Sequence, residues 1–546
     1  MCPGSRNALI VHNLSECPQI ECYPVTDERS AGFFALGLAL EDGRPSPVAV
    51  CVTSGTALLN LLPAVAEAFY QHVPLVIISA DRPQQLIGQL DGQTLPQPDA
   101  LGRFVRKAVH LPICSSHCDE DRWYCNRLVN EALLAMRFPM PAPVHINVPI
   151  DEPLFAFDVP ELPDERVIQG HFSSKNNTDA EEYLLETLKH ARRPMVVIGQ
   201  TNANENGLGE ALERLSERVV LLTERLCNYS VRTVHFDEVL HSVGNDTRYQ
   251  PDVVICIGDC IVSKRLKKFL RAGEARMILL NEDGNVNDTF MHLEEIVVCN
   301  PEHALLLLAQ RITRNRSDGI QRADGNLSHT VKENQPFVSL WHQSLNAAAA
   351  WAETFSPPYS QMAAVKLFEN TLSRVRYIYK VHYANSTSVR LANIYARHPV
   401  YCNRGVNGIE GSLSTAAGMS AKSQEMVFCV IGDLSFFYDQ NALWNQNLQG
   451  NLRIMLLNNG QGGIFRQLKG LDKSPVCDTF VAGQHQTHAE GICRQNSIDY
   501  QIVEGMDELQ ASIDWLLQEN SHRPRLLEVV TDVETDRQTL ASYYNK

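Results

Sequence analysis

The chain has 546 residues, 44% hydrophobic and 20% charged, enough for about three domains of ordinary size and too apolar for an intrinsically disordered chain. Its 48 Lys and Arg against 63 Asp and Glu leave a formal charge of −15, which excludes a nonspecific binder of nucleic acid or anionic lipid and obliges any anionic ligand to be held by local arginines and lysines. No run reaches the about 18 apolar residues of a membrane span, and Met1–Arg6 carries no basic-then-apolar leader, so the expectation is a cytoplasmic protein with no nucleic-acid partner and no membrane insertion.

In chain order, short β-branched runs alternate with helical stretches in three blocks, which predicts an α/β protein of three doubly wound parallel-sheet domains. The first block has strands at Pro47–Thr53, Pro74–Ser79 and Pro143–Val148, with helices at Ala57–Tyr70 and Asp121–Met136, and ends near Phe157. A polar, proline-bearing stretch from Asp158 to Asn177 reads as a linker. The second block, 178–312, has strands at Pro194–Ile198, Asp252–Ile257 and Arg276–Leu280, and fades into a polar linker at Thr313–Gln335. The third, 355–546, has strands at Arg376–Tyr383, Met426–Ile431, Leu452–Leu457 and Arg525–Val530. Fifteen scattered cysteines, several inside apolar runs, suit buried thiols rather than a disulfide framework. The group Cys114, His117, Cys118 and Cys125 lacks the second pair that would complete a zinc site.

The richest chemistry lies between Gly432 and Asn459. One strand ends in Gly432-Asp433-Leu434 and the next, after a helix, in Asn458-Asn459-Gly460. Neighbouring parallel strands bring their carboxyl ends to one edge, so Asp433 and Asn459 can approach one hard cation, while Gly432 permits a tight turn ahead of helix amides that suit a phosphate. The plainer alternative is a pair of turns that only close their strands. Gly-Asp followed after about 26 residues by Asn-Asn resembles the diphosphate-and-metal motif of thiamin-diphosphate enzymes. That resemblance implies Mg²⁺ or Mn²⁺ held by the side chains of Asp433 and Asn459 and the carbonyl of Gln461. It also demands a glutamate from another domain at the cofactor's aminopyrimidine, and Glu28 in Thr26-Asp-Glu-Arg29 takes that catalytic place. Thr53-Ser54-Gly55 is similar to the family's pyrimidine-side loop. Taken alone, Asp-Glu-Arg before a helix is a negatively charged first turn that suits the helix dipole.

Further strings narrow the resemblance to the 2-succinyl-5-enolpyruvyl-6-hydroxy-3-cyclohexene-1-carboxylate synthase family of menaquinone biosynthesis, over nearly the whole chain. They are Pro3-Gly-Ser-Arg-Asn7, Ala80-Asp-Arg-Pro83, Asn385-Ser386 with Arg390, Asn403-Arg-Gly405, Gly408-Ile-Glu-Gly411, Leu413-Ser-Thr-Ala-Ala-Gly418 and Gly462-Gly-Ile-Phe465. The resemblance implies a pyrimidine-binding domain at 1–157, a central domain, and a diphosphate- and metal-binding domain at 355–546. It implies decarboxylation of 2-oxoglutarate and addition of the succinyl carbanion equivalent to isochorismate. Both substrates are dicarboxylates, which calls for convergent cations. By resemblance the substrate contacts are Ser5, Arg6, Arg82, Gln93, Lys264, Arg265, Ser386, Arg390 and Arg404, with Ile464, Phe465 and Leu468 as an apolar wall. Ile409 would support the bent cofactor. The family places its sites between subunits of a homodimer or homotetramer. It also sets a helix and a strand ahead of Pro-Gly-Ser-Arg, so the first domain is expected to lack one βα element. The rivals are another thiamin-diphosphate 2-oxoacid lyase, such as an acetohydroxyacid synthase or decarboxylase, and a noncatalytic cofactor-binding protein. Several convergent cations argue against a one-carboxylate substrate such as pyruvate.

Overall fold

Apolar runs buried on both faces form the central strands of three all-parallel sheets, as strands covered by helices above and below require. The computed structural model describes residues 1–113, 118–152, 154–157, 161–171, 178–202, 208–229, 234–314, 335–468 and 470–545. The first sheet holds β1 (Val48–Val52), β2 (Leu75–Asp81), β3 (Lys107–His110) and β4 (Val144–Pro149) in the order β1-β2-β4-β3. The second holds β5 (Pro194–Ile198), β6 (Val220–Thr223), β7 (Val253–Ile257), β8 (Arg276–Asn281) and β9 (Leu293–Val298), ordered β6-β5-β7-β8-β9. The third holds β10 (Tyr379–Tyr383), β11 (Met426–Gly432), β12 (Leu452–Asn458), β13 (Asp499–Val503) and β14 (Arg525–Val530), ordered β10-β11-β12-β14-β13.

Four of these strands, β3, β6, β9 and β13, were not foreseen, and all four lie at sheet edges. An edge strand needs no continuous apolar run: β3, β9 and β13 each bury a single residue fully, whereas β6 buries all four of its residues and is only four residues long. The expected helix Ala57–Tyr70 is two helices, Thr56–Asn60 and Leu62–Tyr70, and Pro63 sits in the first turn of the second. Proline is tolerated there because that turn has no intrahelical acceptor for its amide. The stretch 161–171 of the first linker has no helix or strand, and 315–334 of the second lies outside the described residues. Helix Gln335–Thr354 closes the central domain, with Trp341 fully buried and its indole N–H donating to the Tyr249 carbonyl.

Helix Glu28–Leu40 of the first domain crosses helix Ser412–Lys422 of the third at backbone contact. A Cβ on Gly37 would lie 2.0 Å from the Thr415 carbonyl oxygen, and one on Gly418 2.0 Å from that of Phe34. The two glycines therefore fix how the first and third domains dock. At the start of the chain the Cys2 amide donates to the Cys51 carbonyl (2.9 Å) and the Val25 amide to that of Met1 (3.0 Å), which lays the Pro-Gly-Ser-Arg loop along the end of β1.

Candidate active site

Because β11 and β12 are neighbours, their terminal turns meet. Asp433 is 4% exposed and serves as the strut between them. Its Oδ1 accepts the Leu434 amide (2.6 Å), and its Oδ2 accepts those of Asn459 (3.1 Å) and Gln461 (3.2 Å). His485 Nε2 lies 3.6 Å from the same oxygen. Asn459 donates its side-chain amide to Asp536 (2.9 Å), which leaves the amide oxygen as the end that can face a cation. Asp536 is oriented in turn by the Gln361 amide (2.8 Å) and the Thr531 hydroxyl (2.8 Å). The buried Gln461 Oε1 has no hydrogen-bond partner. One carboxylate, one amide oxygen and one main-chain carbonyl form a hard set that suits Mg²⁺ or Mn²⁺ better than zinc. Among the described residues no three His, Cys, Asp or Glu cluster as metal ligands, and Cys114 and His117 of the dismissed zinc group lie outside them. The Ser435 hydroxyl donates to the Ile409 carbonyl, so the loop that carries the 43%-exposed Ile409 is tied to the helix Asp433 begins. Leu434 packs beside Gly462 and Gly483.

On the first domain, Asp27 caps helix Glu28–Leu40 through the Ser30 amide (2.9 Å), and the half-buried Glu28 accepts a hydrogen bond from Asn60 (3.2 Å). Thr53, Ser54 and Gly55 follow β1 and are buried. Gly55 has φ +85°, and its amide donates to Gln97 (2.7 Å). The Gln93 backbone passes 3.2 Å from where a Cβ on Gly55 would stand, which brings the exposed Gln93 over this turn. Gly4 lies against Thr53, so Ser5 is exposed nearby, while the 5%-exposed Arg6 donates to the Ile150 carbonyl (2.9 Å). Burial and the neighbouring Arg82 lower the Arg6 pKa, and the buried Arg82 Nε has no partner. Ser5, Arg6, Arg82 and Gln93 thus gather at the carboxyl ends of β1, β2 and β4.

Of the remaining cations, Arg265 and Arg390 meet where the central and third domains face each other, around a cavity of about 740 Å³ also lined by Leu468, Asp237, Lys473 and Tyr544, among others, whereas Lys264 and Arg404 do not line it. Ser263 caps helix Lys264–Arg271, which leaves Lys264 exposed and turns Arg265 toward Asp237 as an ion pair. The Arg265 guanidinium stacks 4.0 Å from the Tyr544 ring centre, and the Tyr544 hydroxyl donates to Asp237 (3.0 Å). Ser386, at φ +74°, precedes helix Thr387–Tyr395, which carries Arg390. Burial lowers the Arg390 pKa, and its Nε has no partner. Arg404 donates to Asn385 Oδ1 (3.1 Å) and to Cys260 Sγ (3.3 Å). Ile464 and Phe465 are half-buried on the turn Gly463–Gln467, with Phe465 folded over Gly462. His382 is a packed core group: burial lowers its pKa to about 4, and it meets Asn403. Asp237, Tyr544 and Asp536 were missed, since none stands in a glycine-rich turn or at a strand end that would have singled it out.

Residues 1–101 match a family described as "Thiamine pyrophosphate enzyme, N-terminal TPP binding domain". The chain is 41% identical to the 2-succinyl-5-enolpyruvyl-6-hydroxy-3-cyclohexene-1-carboxylate synthase of Phocaeicola vulgatus, over 100% of this chain and 94% of that protein. It is 42% identical to the protein of the same name from Bacteroides thetaiotaomicron (100% and 95%) and 33% identical to that from Porphyromonas gingivalis (100% and 93%).

Proposed function

The chain belongs to the 2-succinyl-5-enolpyruvyl-6-hydroxy-3-cyclohexene-1-carboxylate synthase family of thiamin-diphosphate enzymes, and on that premise we propose that it joins the succinyl unit of 2-oxoglutarate to isochorismate with loss of carbon dioxide, in menaquinone biosynthesis. The observation that carries the reading is the Asp433 carboxylate bridging the amides of Asn459 and Gln461, which builds an oxygen-rich turn at one sheet edge. Thiamin diphosphate, when bound, supplies the electron sink that decarboxylation and carbon–carbon bond formation require.

The protein supplies position, charge and one proton relay. Asp433, the Asn459 amide oxygen and the Gln461 carbonyl would hold Mg²⁺ or Mn²⁺, which would neutralise the cofactor's diphosphate, and Gly432 and Leu434 would contact the cofactor beside them. Glu28 would hold a proton at the cofactor's aminopyrimidine, Thr53, Ser54 and Gly55 would shape the pocket for that ring, and Ile409 would give the cofactor apolar support. Ser5, Arg6, Arg82, Gln93, Lys264, Arg265, Ser386, Arg390 and Arg404 bind the substrates' carboxylates and hydroxyls, against a wall of Ile464, Phe465 and Leu468. Arginine is suited to this because its planar fork matches a carboxylate in two parallel hydrogen bonds.

The working form is a homodimer or homotetramer with sites between the first domain of one subunit and the third of another. Within one chain, Asp27 and Arg29, on either side of Glu28, reach Asn441 (2.7 Å) and the Tyr438 carbonyl (2.6 Å). Those contacts lie at the far end of helix Asp433–Tyr438 from Asp433, and the two-subunit site rests on the family resemblance. Among the described residues no helix is long and apolar enough to cross a membrane, and a cytoplasmic location fits the proposed substrates. The test is loss of isochorismate absorbance on mixing with 2-oxoglutarate, thiamin diphosphate and Mg²⁺. Loss that needs every component supports the reading, and turnover of pyruvate with no loss of isochorismate would replace it with a lyase for a smaller acid.

A further inference from the structure

Two buried glutamates take no part in the chemistry assigned above, yet each grips the backbone of a loop that bears a substrate cation. Glu224 directly follows β6 and is 4% exposed. Its two oxygens accept the amides of Val262 (2.7 Å) and Ser263 (2.8 Å), immediately before Lys264 and Arg265. Glu67, on helix Leu62–Tyr70 of the first domain, is 3% exposed. Its oxygens accept the amides of Gly405 (2.7 Å) and Val406 (2.7 Å), immediately after Arg404, and a third hydrogen bond from Gln71 (2.6 Å). A Cβ on Gly405 would lie 2.7 Å from the Glu67 carbonyl oxygen, so this loop is pressed onto the first domain. The two loops then touch where Arg404 donates to Cys260 Sγ (3.3 Å).

A carboxylate in so dry a place is costly unless both oxygens are served, and here both are served by consecutive backbone amides. That is the geometry of a clamp: it fixes where a loop starts or stops, and so where the adjoining side chain can reach. We infer that Glu67 and Glu224 are positioning residues that set the separation of Arg404 and Arg265, and that this separation selects dicarboxylates. The inference rests on the reading of these arginines as substrate cations.

Titration gives the clamp a signature. Burial, reinforced by the nearby Asp237, pushes the Glu224 carboxyl up to about 7, against the lowering effect of its two amide bonds and of Arg404. Arg390 and Cys402 also lie within electrostatic reach. A protonated Glu224 has one oxygen turned donor, which leaves one of the two amides without an acceptor. The loop therefore loosens as pH falls through about 7 and tightens above it.

The test is calorimetric titration of the full chain, loaded with thiamin diphosphate and Mg²⁺, with glutarate, a dicarboxylate that lacks the reacting 2-oxo group. Over about pH 6.5 to 8.5 the unaltered protein should lose affinity toward the acid side, while Glu224→Gln and Glu67→Gln should each bind about tenfold more weakly at the alkaline end, the loss expected for a charged hydrogen bond removed. Glu224→Gln should also lose the pH dependence, with cofactor affinity unchanged in both. A flat profile for the unaltered protein overturns the inference without any variant, as does its failure to bind glutarate. Variants within twofold of it, or a cofactor affinity that falls as far as the glutarate affinity, overturn it too. Isochorismate consumption by the unaltered protein tests the reaction separately, so a clamp-dependent glutarate profile without consumption refutes the reaction alone.

Discussion

Asp433 and Asn459 owe their geometry to partners that no motif includes. The Asn459 side chain could turn either end toward a cation, and it is Asp536, accepting from Nδ2 at 2.9 Å, that presents the oxygen. Burial raises the Asp536 carboxyl above its ordinary value, against the lowering effect of hydrogen bonds from the Gln361 amide, Asn459 and Thr531. Residues that orient a metal's ligands typically set its affinity within about 10- to 100-fold. Asp536→Ala should therefore weaken Mg²⁺ binding by about that range, read as a rightward shift in the Mg²⁺ dependence of cofactor binding, with substrate KM at saturating metal unchanged. An unchanged Mg²⁺ dependence would sever Asp536 from the metal. The meeting of Asp433 and Asn459 was legible in the sequence because strand-end turns of Gly, Asp and Asn are conspicuous. Asp536, Glu67 and Glu224 were not, because each acts on groups far away along the chain, and a lone Asp or Glu in a helix or loop has the look of a solvated one.

Among elements, the crossing of Glu28–Leu40 and Ser412–Lys422 is the one on which the relative placement of two domains depends. Both contacts are glycine against a carbonyl oxygen, and backbone cannot swing aside as a flexible side chain can. Gly418→Ala should destabilise the protein by about 2 to 3 kcal/mol, the upper range for an added methyl group in a packed core, seen as a lower urea midpoint at unchanged slope. The same change at the exposed Gly491 of helix Glu490–Gln495 meets nothing within 4 Å and should instead be neutral or stabilising by up to about 1 kcal/mol, as alanine is the better helix former. The contrast separates close packing from helix propensity. Glycines so spaced in two helices carried no sequence signal for this crossing, since each also reads as a plain helix defect. Strands show the same limit: β2, β7 and β12, flanked on both sides, announced themselves as apolar runs, whereas the edges β3, β9 and β13 each bury one residue fully and leave the rest partly or wholly exposed.

At the scale of the whole molecule, the placement of Glu28 bears on how many chains one site needs. Helix Asp433–Tyr438 is six residues long, about 9 Å at 1.5 Å per residue. Asp433 stands at its start, while Asp27 and Arg29 are fastened past its end, and an elongated cofactor can span such a distance within one chain as well as between two. A site completed by a second chain makes a demand that a one-chain site does not. Glu28→Gln removes the proton relay but leaves the metal turn whole, and Asp433→Ala does the reverse, so either variant alone should be close to inactive. Co-expressed in equal amounts, they should regain about a quarter of the normal rate, because about half of the twofold-symmetric dimers are mixed and each mixed dimer holds one site with both lesions and one with neither. Separate purification and brief mixing, too short for subunits to exchange, should regain nothing. If the co-expressed pair stays inactive while size measurements show mixed dimers, the glutamate and the metal turn belong to the same chain's site, and the subunits are joined for some other reason.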